Sequence, residues 1–269
     1  MSTGLKLAIG GKGGVGKTTV CSVWAQCFAN EGHDVLAIDA DPSLSLGAAF
    51  GLPADRTPKP LIQMKALIAE RTGTGRDAIG TYFKLNPKVS DLPEEHWLDT
   101  GSVKLLVLGG MTRAGGGCAC PEGAFLKALL TNTILARDEL VLVDLAAGVE
   151  FMGRASIQGI DAFVVVVEPG SRSIETANSL AAMARDLGIT RVGAIANKIT
   201  EPAQVAAIAS QLTGVALLGT VSYSKSAQEA DLNRAPVAAA DDMLTQELDD
   251  ARQRLLDLVC EASGAARPR

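Results

Sequence analysis

The chain has 269 residues and a formal net charge of −5, with 47% hydrophobic, 20% charged and 4% aromatic residues. That length and apolar content are enough for a substantial core, which excludes a disordered chain. The acidic balance, with a pI near 5.2, lacks the basic footprint of a general nucleic-acid binder.

The first ten residues show no charged stretch followed by an apolar one, so no signal peptide is expected. The longest apolar run, Ala162–Val167, is far too short to cross a bilayer. Five cysteines without a secretion signal imply reduced thiols in the cytoplasm. Neither a membrane nor a nucleic-acid partner is expected.

The first element is an apolar strand, Leu5–Ile9, that runs into a glycine-rich turn and then a helix over Thr18–Asn30, ended by Gly32. The spacing Gly11-x-x-x-x-Gly16-Lys17-Thr18 is that of a phosphate-binding P-loop. Its glycines let backbone N–H groups face an anion, and the helix points its positive end at the same place. Lys17 can then reach the β- and γ-phosphates, and the Thr18 hydroxyl can ligate Mg²⁺. The candidate ATP-binding set is Gly11, Lys12, Gly13, Gly14, Val15, Gly16, Lys17, Thr18 and Thr19.

A second buried strand, Asp34–Asp39, leads to Ala40-Asp41-Pro42-Ser43. Asp41, just past this strand, is a candidate switch carboxylate, and Asp39 either assists it or caps the next segment. Residues 54–100 are the least regular part. There Leu61–Arg71 reads as a helix and Thr81–Leu85 as a strand, with Pro87 and Pro93 as punctuation. Such an insertion is a place for a recognition surface.

Further apolar strands are expected at Val103–Leu108, Leu140–Val143, Phe163–Val167, Val192–Ala196 and Val215–Leu218. Helices are expected between most of them, at Glu122–Leu135, Ser173–Leu187, Glu201–Gln211, Ser224–Leu232 and Asp241–Ala262. Continuous apolar strands alternating with amphipathic helices imply an α/β fold: a single P-loop NTPase domain over residues 1–269, its mostly parallel sheet covered by helices on both faces.

Gly-Cys118-Ala-Cys120-Pro121-Glu122 is the distinctive stretch. In an extended segment, residues two apart share a face, roughly 7 Å apart at Cα. The two thiolates could then share one soft metal ion, Ni²⁺ or Zn²⁺, while Pro121 and Glu122 suit a helix start. Two thiolates do not complete a tetrahedral site, and neither His33 nor His96 lies at ligand spacing from them. Cys21 and Cys27 are expected to pack in the core. A two-fold dimer would bring four sulfurs to its axis; a redox pair or incidental loop cysteines are the alternatives.

Asp144 ends the strand Leu140–Val143, the position of a Walker B carboxylate that holds Mg²⁺ through water. The following Leu145-Ala146-Ala147-Gly148 would be a nucleotide-sensing switch. Both Asp41 and Asp144 could instead be loop carboxylates satisfied by backbone donors. Asn197, followed by Lys198, sits at the end of another strand. Its amide could read a purine edge or simply serve a turn.

Together the double-lysine P-loop, Asp39-Ala40-Asp41-Pro42, Gly-Cys-Ala-Cys-Pro-Glu and Val167-Glu168-Pro169-Gly170-Ser171-Arg172-Ser173 resemble the CooC-type maturation factors of carbon monoxide dehydrogenase. These are nickel-binding ATPases of the MinD and nitrogenase iron protein class. The resemblance covers most of the chain and is sparse after Thr200.

It implies a homodimer in which Lys12 reaches the partner's nucleotide, Lys17 and Asp41 act in hydrolysis, and Asp41 contacts the Mg²⁺ shell and orients the attacking water. It also implies that Asn197 contacts adenine, and that a carbon monoxide dehydrogenase catalytic subunit is the client. Two positions depart from the family pattern: Ala146 and Phe151 stand where an acid and a histidine are expected. Two other functions use the same architecture, an iron–sulfur carrier on the same cysteines and a positioning ATPase of the MinD/ParA type. The acid-rich C-terminal helix lacks the basic face a membrane-targeting helix prefers.

Overall fold

The computed structural model describes residues 4–74, 84–109, 121–135, 139–146 and 159–263. Its strands are β1 (Lys6–Gly10), β2 (Val35–Ala40), β3 (Leu98–Asp99), β4 (Lys104–Val107), β5 (Leu140–Leu145), β6 (Ala162–Val167), β7 (Val192–Ile199) and β8 (Ala216–Ser222). They form one sheet in the order β3-β4-β2-β5-β1-β6-β7-β8. Only the β3–β4 edge pair is antiparallel; the other pairs are parallel.

The described helices are α1 (Lys17–Asn30), α2 (Leu46–Ala49), α3 (Lys65–Thr72), α4 (Leu92–His96), α5 (Pro121–Leu135), α6 (Ser171–Asp186), α7 (Pro202–Gln211), α8 (Lys225–Leu232) and α9 (Asp242–Ser263). β1 lies where the chain changes direction across the sheet. Later strands add beyond β6 on one side, while β2, β4 and β5 lie on the other. In a parallel sheet the crevice at such a reversal, outside the carboxyl ends of the strands, is where ligands bind.

Alternation along the strands explains the two covered faces. Ala8, Val141, Val143, Phe163 and Val165 join one core layer with Phe125 and Leu129 of α5 and Ile174 and Leu180 of α6. Leu7, Ile9, Leu142, Val164 and Val166 join the other with Val20, Trp24 and Phe28 of α1 and Leu248 and Leu255 of α9. Side chains two apart share a face, so runs buried on both faces are apolar throughout.

Polar contacts fix α9 to α1. Trp24 Nε1 donates to Leu248 O at 2.8 Å, and the buried Arg252 guanidinium pairs with Glu31 and Asp249 while lying 4.4 Å from the Phe28 ring centroid. Cys21 is buried in this layer and Cys27 packs against it, as the sequence predicts. Burial pushes the thiol pKa of both up, to about 11 at Cys27.

The segment 54–100 corrects one expectation. The predicted helix Leu61–Arg71 is broken into a 3-10 turn, Leu61–Gln63, and α3, because Met64 takes a non-helical ψ of 67° between them. Of the strand expected at Thr81–Leu85, residues 81–83 lie outside the described residues, and Lys84 and Leu85 carry no strand. The bidentate pair from Arg71 to Asp91, at 3.0 and 2.7 Å, ties α3 to the start of α4.

Candidate nucleotide and magnesium site

β1 ends at Gly10 and α1 begins at Lys17, so Gly11–Gly16 forms the turn between a central strand and a helix N-terminus. Two glycines there leave no room for a side chain as the neighbours stand. Gly16 has a φ of +100°, and a Cβ on it would lie 2.3 Å from Asn197 Nδ2. A Cβ on Gly11 would lie 2.5 Å from Val166 O of the neighbouring strand. Backbone packs that closely only where no side chain intervenes.

Lys17 is buried, and among the described residues its ammonium has only long contacts: 3.4 Å to Lys12 O and 3.8 Å to Asp41 Oδ2. A cation with loose partners at a helix N-terminus is placed for an anion.

Strand parity brings the two acids together. Ala37 and Leu142 point to the α1 side of the sheet, so Asp39 and Asp144, two residues further on, point there as well. The β2–β5 register pairs Asp39 with Asp144 directly.

Thr18, in the first turn of α1, donates from Oγ1 to Asp144 Oδ2 at 2.7 Å. Asp144 is fully buried, and its Oδ1 has no hydrogen-bond partner among the described residues. Burial pushes its carboxyl pKa up to about 7, against the lowering effect of the Thr18 hydrogen bond. An orphaned buried carboxylate oxygen beside a threonine hydroxyl fits a hard cation that takes oxygen ligands. Thr18 and Asp144 therefore suit Mg²⁺.

Asp39 accepts from two backbone N–H groups, Asp41 at 3.1 Å and Leu46 at 3.0 Å. Burial raises its pKa to about 6, opposed by those two hydrogen bonds. It thus holds the bend between β2 and α2 that carries Asp41. The Asp41 carboxylate accepts from Ser43 N and Oγ at 2.8 and 2.7 Å, and Ser45 Oγ lies 3.4 Å from Thr18 Oγ1. Among the described residues no group of three or more His, Cys, Asp and Glu could by itself hold a metal. Mg²⁺ commonly takes only one or two carboxylates and completes its shell with waters and phosphates.

From the other side, Asn197 Nδ2 donates to Val15 O at 2.8 Å, and its Oδ1 accepts from Lys198 N at 2.8 Å. The amide therefore ties the end of β7 to the P-loop. Lys198 adopts a φ of +58°; its ammonium donates to Gly14 O and pairs with Glu168 at 3.2 Å. Glu168 also pairs with Lys12 at 3.5 Å.

The structure thus gathers Lys12, Lys17, Thr18, Asp41, Asp144, Asn197 and Lys198 at the carboxyl ends of β1, β2, β5 and β7. Gly13, Gly14 and Thr19 lie in the same turn and first helical turn. Ala146 follows β5 and is half-buried. Cys118 and Cys120, with Gly148 and Phe151, lie outside the described residues.

Sequence reasoning overlooked Ser45 and left Glu168 without a role; Asp39 it left undecided. For Asp39 the available signal was a carboxylate ending an apolar strand just before an N-terminal helix turn. For Glu168 it was an acid at the equivalent end of β6.

A family model described as the CobQ/CobB/MinD/ParA nucleotide binding domain matches residues 6–237. The chain is 43% identical over 229 residues to carbon monoxide dehydrogenase accessory protein CooC of Rhodospirillum rubrum, covering 84% of this chain and 87% of that protein. It is 37% identical over 235 residues to an uncharacterised ATP-binding protein of Methanocaldococcus jannaschii, covering 87% and 91%. Among solved structures, the MinD cell division protein of Aquifex aeolicus superposes with a TM-score of 0.65 at 20% identity, covering 97% of this chain and 98% of that one.

Proposed function

The chain belongs to the CobQ/CobB/MinD/ParA family of nucleotide-binding P-loop ATPases, and on that premise we propose that it loads nickel into the active site of a carbon monoxide dehydrogenase. The observation that carries the client is the extended similarity to the Rhodospirillum rubrum accessory protein, which spans most of both chains. MinD-like coordinates support the fold alone and say nothing of cargo.

In this reading ATP lies along Gly11–Thr19, with Lys17 on its β- and γ-phosphates. Thr18, Asp144 and Asp41 would hold Mg²⁺, which supplies charge neutralisation on the phosphates. Asp41 orients the attacking water, and Asp39 keeps Asp41 in place through its backbone. Asn197 and Lys198 border the base end of the site, and Asn197 contacts adenine. Lys12 crosses to the nucleotide of a second copy, so hydrolysis requires a homodimer. Closing the dimer brings Cys118 and Cys120 of both chains together as a four-thiolate site for the transported Ni²⁺. Hydrolysis removes the γ-phosphate contacts that hold the closed state, and the metal is released to the client.

Ligand count supplies the test. Each chain offers one soft pair, so binding should saturate at one Ni²⁺ or Zn²⁺ per two chains, and metal should promote dimerisation. Cys118→Ser should lose tight metal binding while ATP affinity stays nearly unchanged. Equilibrium dialysis with analytical ultracentrifugation measures both. One tightly held metal per monomer, or a coloured protein holding iron and sulfide, would overturn the shared nickel site.

A further inference from the structure

Glu168 follows β6 beside the P-loop, and each of its carboxylate oxygens takes a different lysine: Oε1 lies 3.5 Å from Lys12 and Oε2 lies 3.2 Å from Lys198. Two of the three partners have further ties. The Glu168 backbone N–H donates to Ser173 Oγ at 3.1 Å. The Lys198 ammonium is held by Gly14 O, and its backbone N–H by Asn197.

Lys12 is the loose member. Its side chain is as exposed as that of Lys198, 42% against 41%, but among the described residues Glu168 is its one ion-pair partner, whereas Lys198 is held by the Gly14 carbonyl as well. We propose that Glu168 is a positioning residue that parks Lys12 on its own chain, so that dimer closure exchanges this contact for the partner's nucleotide. The inference rests on the dimeric reading above and adds to it the contact that must break.

Charge makes the exchange feasible. With Lys12 in place the cluster holds two cations and one anion. Its departure leaves a matched Glu168–Lys198 pair, so no partly buried charge is stranded. The Glu168 carboxylate still holds Lys198 on Gly14, and the loop keeps its shape. A half-exposed ion pair is weak, which suits a latch that nucleotide and a second chain must together overcome.

The test is a double-mutant cycle on the dimer dissociation constant, measured by analytical ultracentrifugation with Mg²⁺ and a non-hydrolysable ATP analogue. Glu168→Gln should tighten the dimer by about threefold, the scale of one half-exposed pair. In a Lys12→Gln background the same substitution should change nothing. A second readout needs no dimer. In nucleotide-free protein, acylation of the Lys12 amine by an N-hydroxysuccinimide ester, followed by mass spectrometry, should run about threefold faster in Glu168→Gln, the same scale.

Unchanged Lys12 acylation, or an equal dimer shift with and without Lys12, would overturn the latch. A parent protein that stays monomeric with the analogue overturns the dimeric reading and the latch together. A parent that dimerises but is indifferent to Glu168→Gln overturns the latch alone.

Discussion

Asp39 and Asp144 are register partners on adjacent parallel strands, two buried carboxylates facing the same helix. They divide the work between them. Asp39 spends its oxygens on the backbone of Asp41 and Leu46, while Asp144 takes the Thr18 hydroxyl and leaves Oδ1 open. The first shapes the loop, and the second is free to serve a cation.

That division gives a pH dependence. The Asp144 pKa rises from 3.8 to about 7 in the folded, nucleotide-free chain, so between about pH 4 and 7 the folded state keeps a proton that the unfolded state has lost. Stability of the nucleotide-free protein should therefore fall as pH rises through that window. Mg²⁺ needs the ionised form, so Mg²⁺-dependent nucleotide affinity should rise through the same window and level off above it. Asp144→Asn keeps an acceptor for Thr18 and removes the buried charge. It should stabilise the nucleotide-free chain at about pH 8 by about 1–3 kcal/mol and lower Mg²⁺-dependent hydrolysis by ~100-fold or more. Denaturant melts and phosphate release across pH check both; a destabilised but active variant would contradict the division of roles.

Lys17→Ala should abolish measurable ATP binding, because the β- and γ-phosphates lose the one buried cation in the turn. Isothermal titration decides this, and undiminished affinity would refute the phosphate-loop assignment.

Lys12→Gln should bind ATP about as well as the parent and lose hydrolysis, since its half-exposed ammonium pairs with Glu168 while the buried Lys17 serves the phosphates of its own chain. Equal hydrolysis by variant and parent would leave Lys12 without a role in trans.

Much of this was legible in the residues. Strands buried on both faces read as unbroken apolar runs, and their ends placed Asp144 and Asn197 within a residue or two of where they lie. The turn with two lysines falls between β1 and α1, where the spacing put it. What stayed hidden depends on register and on short elements. α2 has four residues and β3 has two, too few to show a period, so the loop carrying Asp41 could not be shaped beforehand. The pairing of Asp39 with Asp144 needs the strand order, because residues 105 apart in the chain meet only when β5 inserts between β1 and β2. Asn197 was read for its hydrogen-bonding capacity toward a base; its contact with Val15 O adds a tether that no spacing rule reveals. Glu168 pairs with lysines 156 positions before it and 30 after it, and no local pattern joins them.

Reconstitution of a client enzyme tests the central claim most directly. Nickel-free carbon monoxide dehydrogenase would be incubated with the Ni²⁺-loaded protein, with Mg²⁺ and ATP, and CO oxidation followed over time. Activity should appear with the parent protein and ATP, and stay at the level given by free Ni²⁺ when Lys17→Ala or the Cys118→Ser/Cys120→Ser variant replaces it. Equal activation by the parent and by both variants would contradict ATP-driven nickel delivery through these residues.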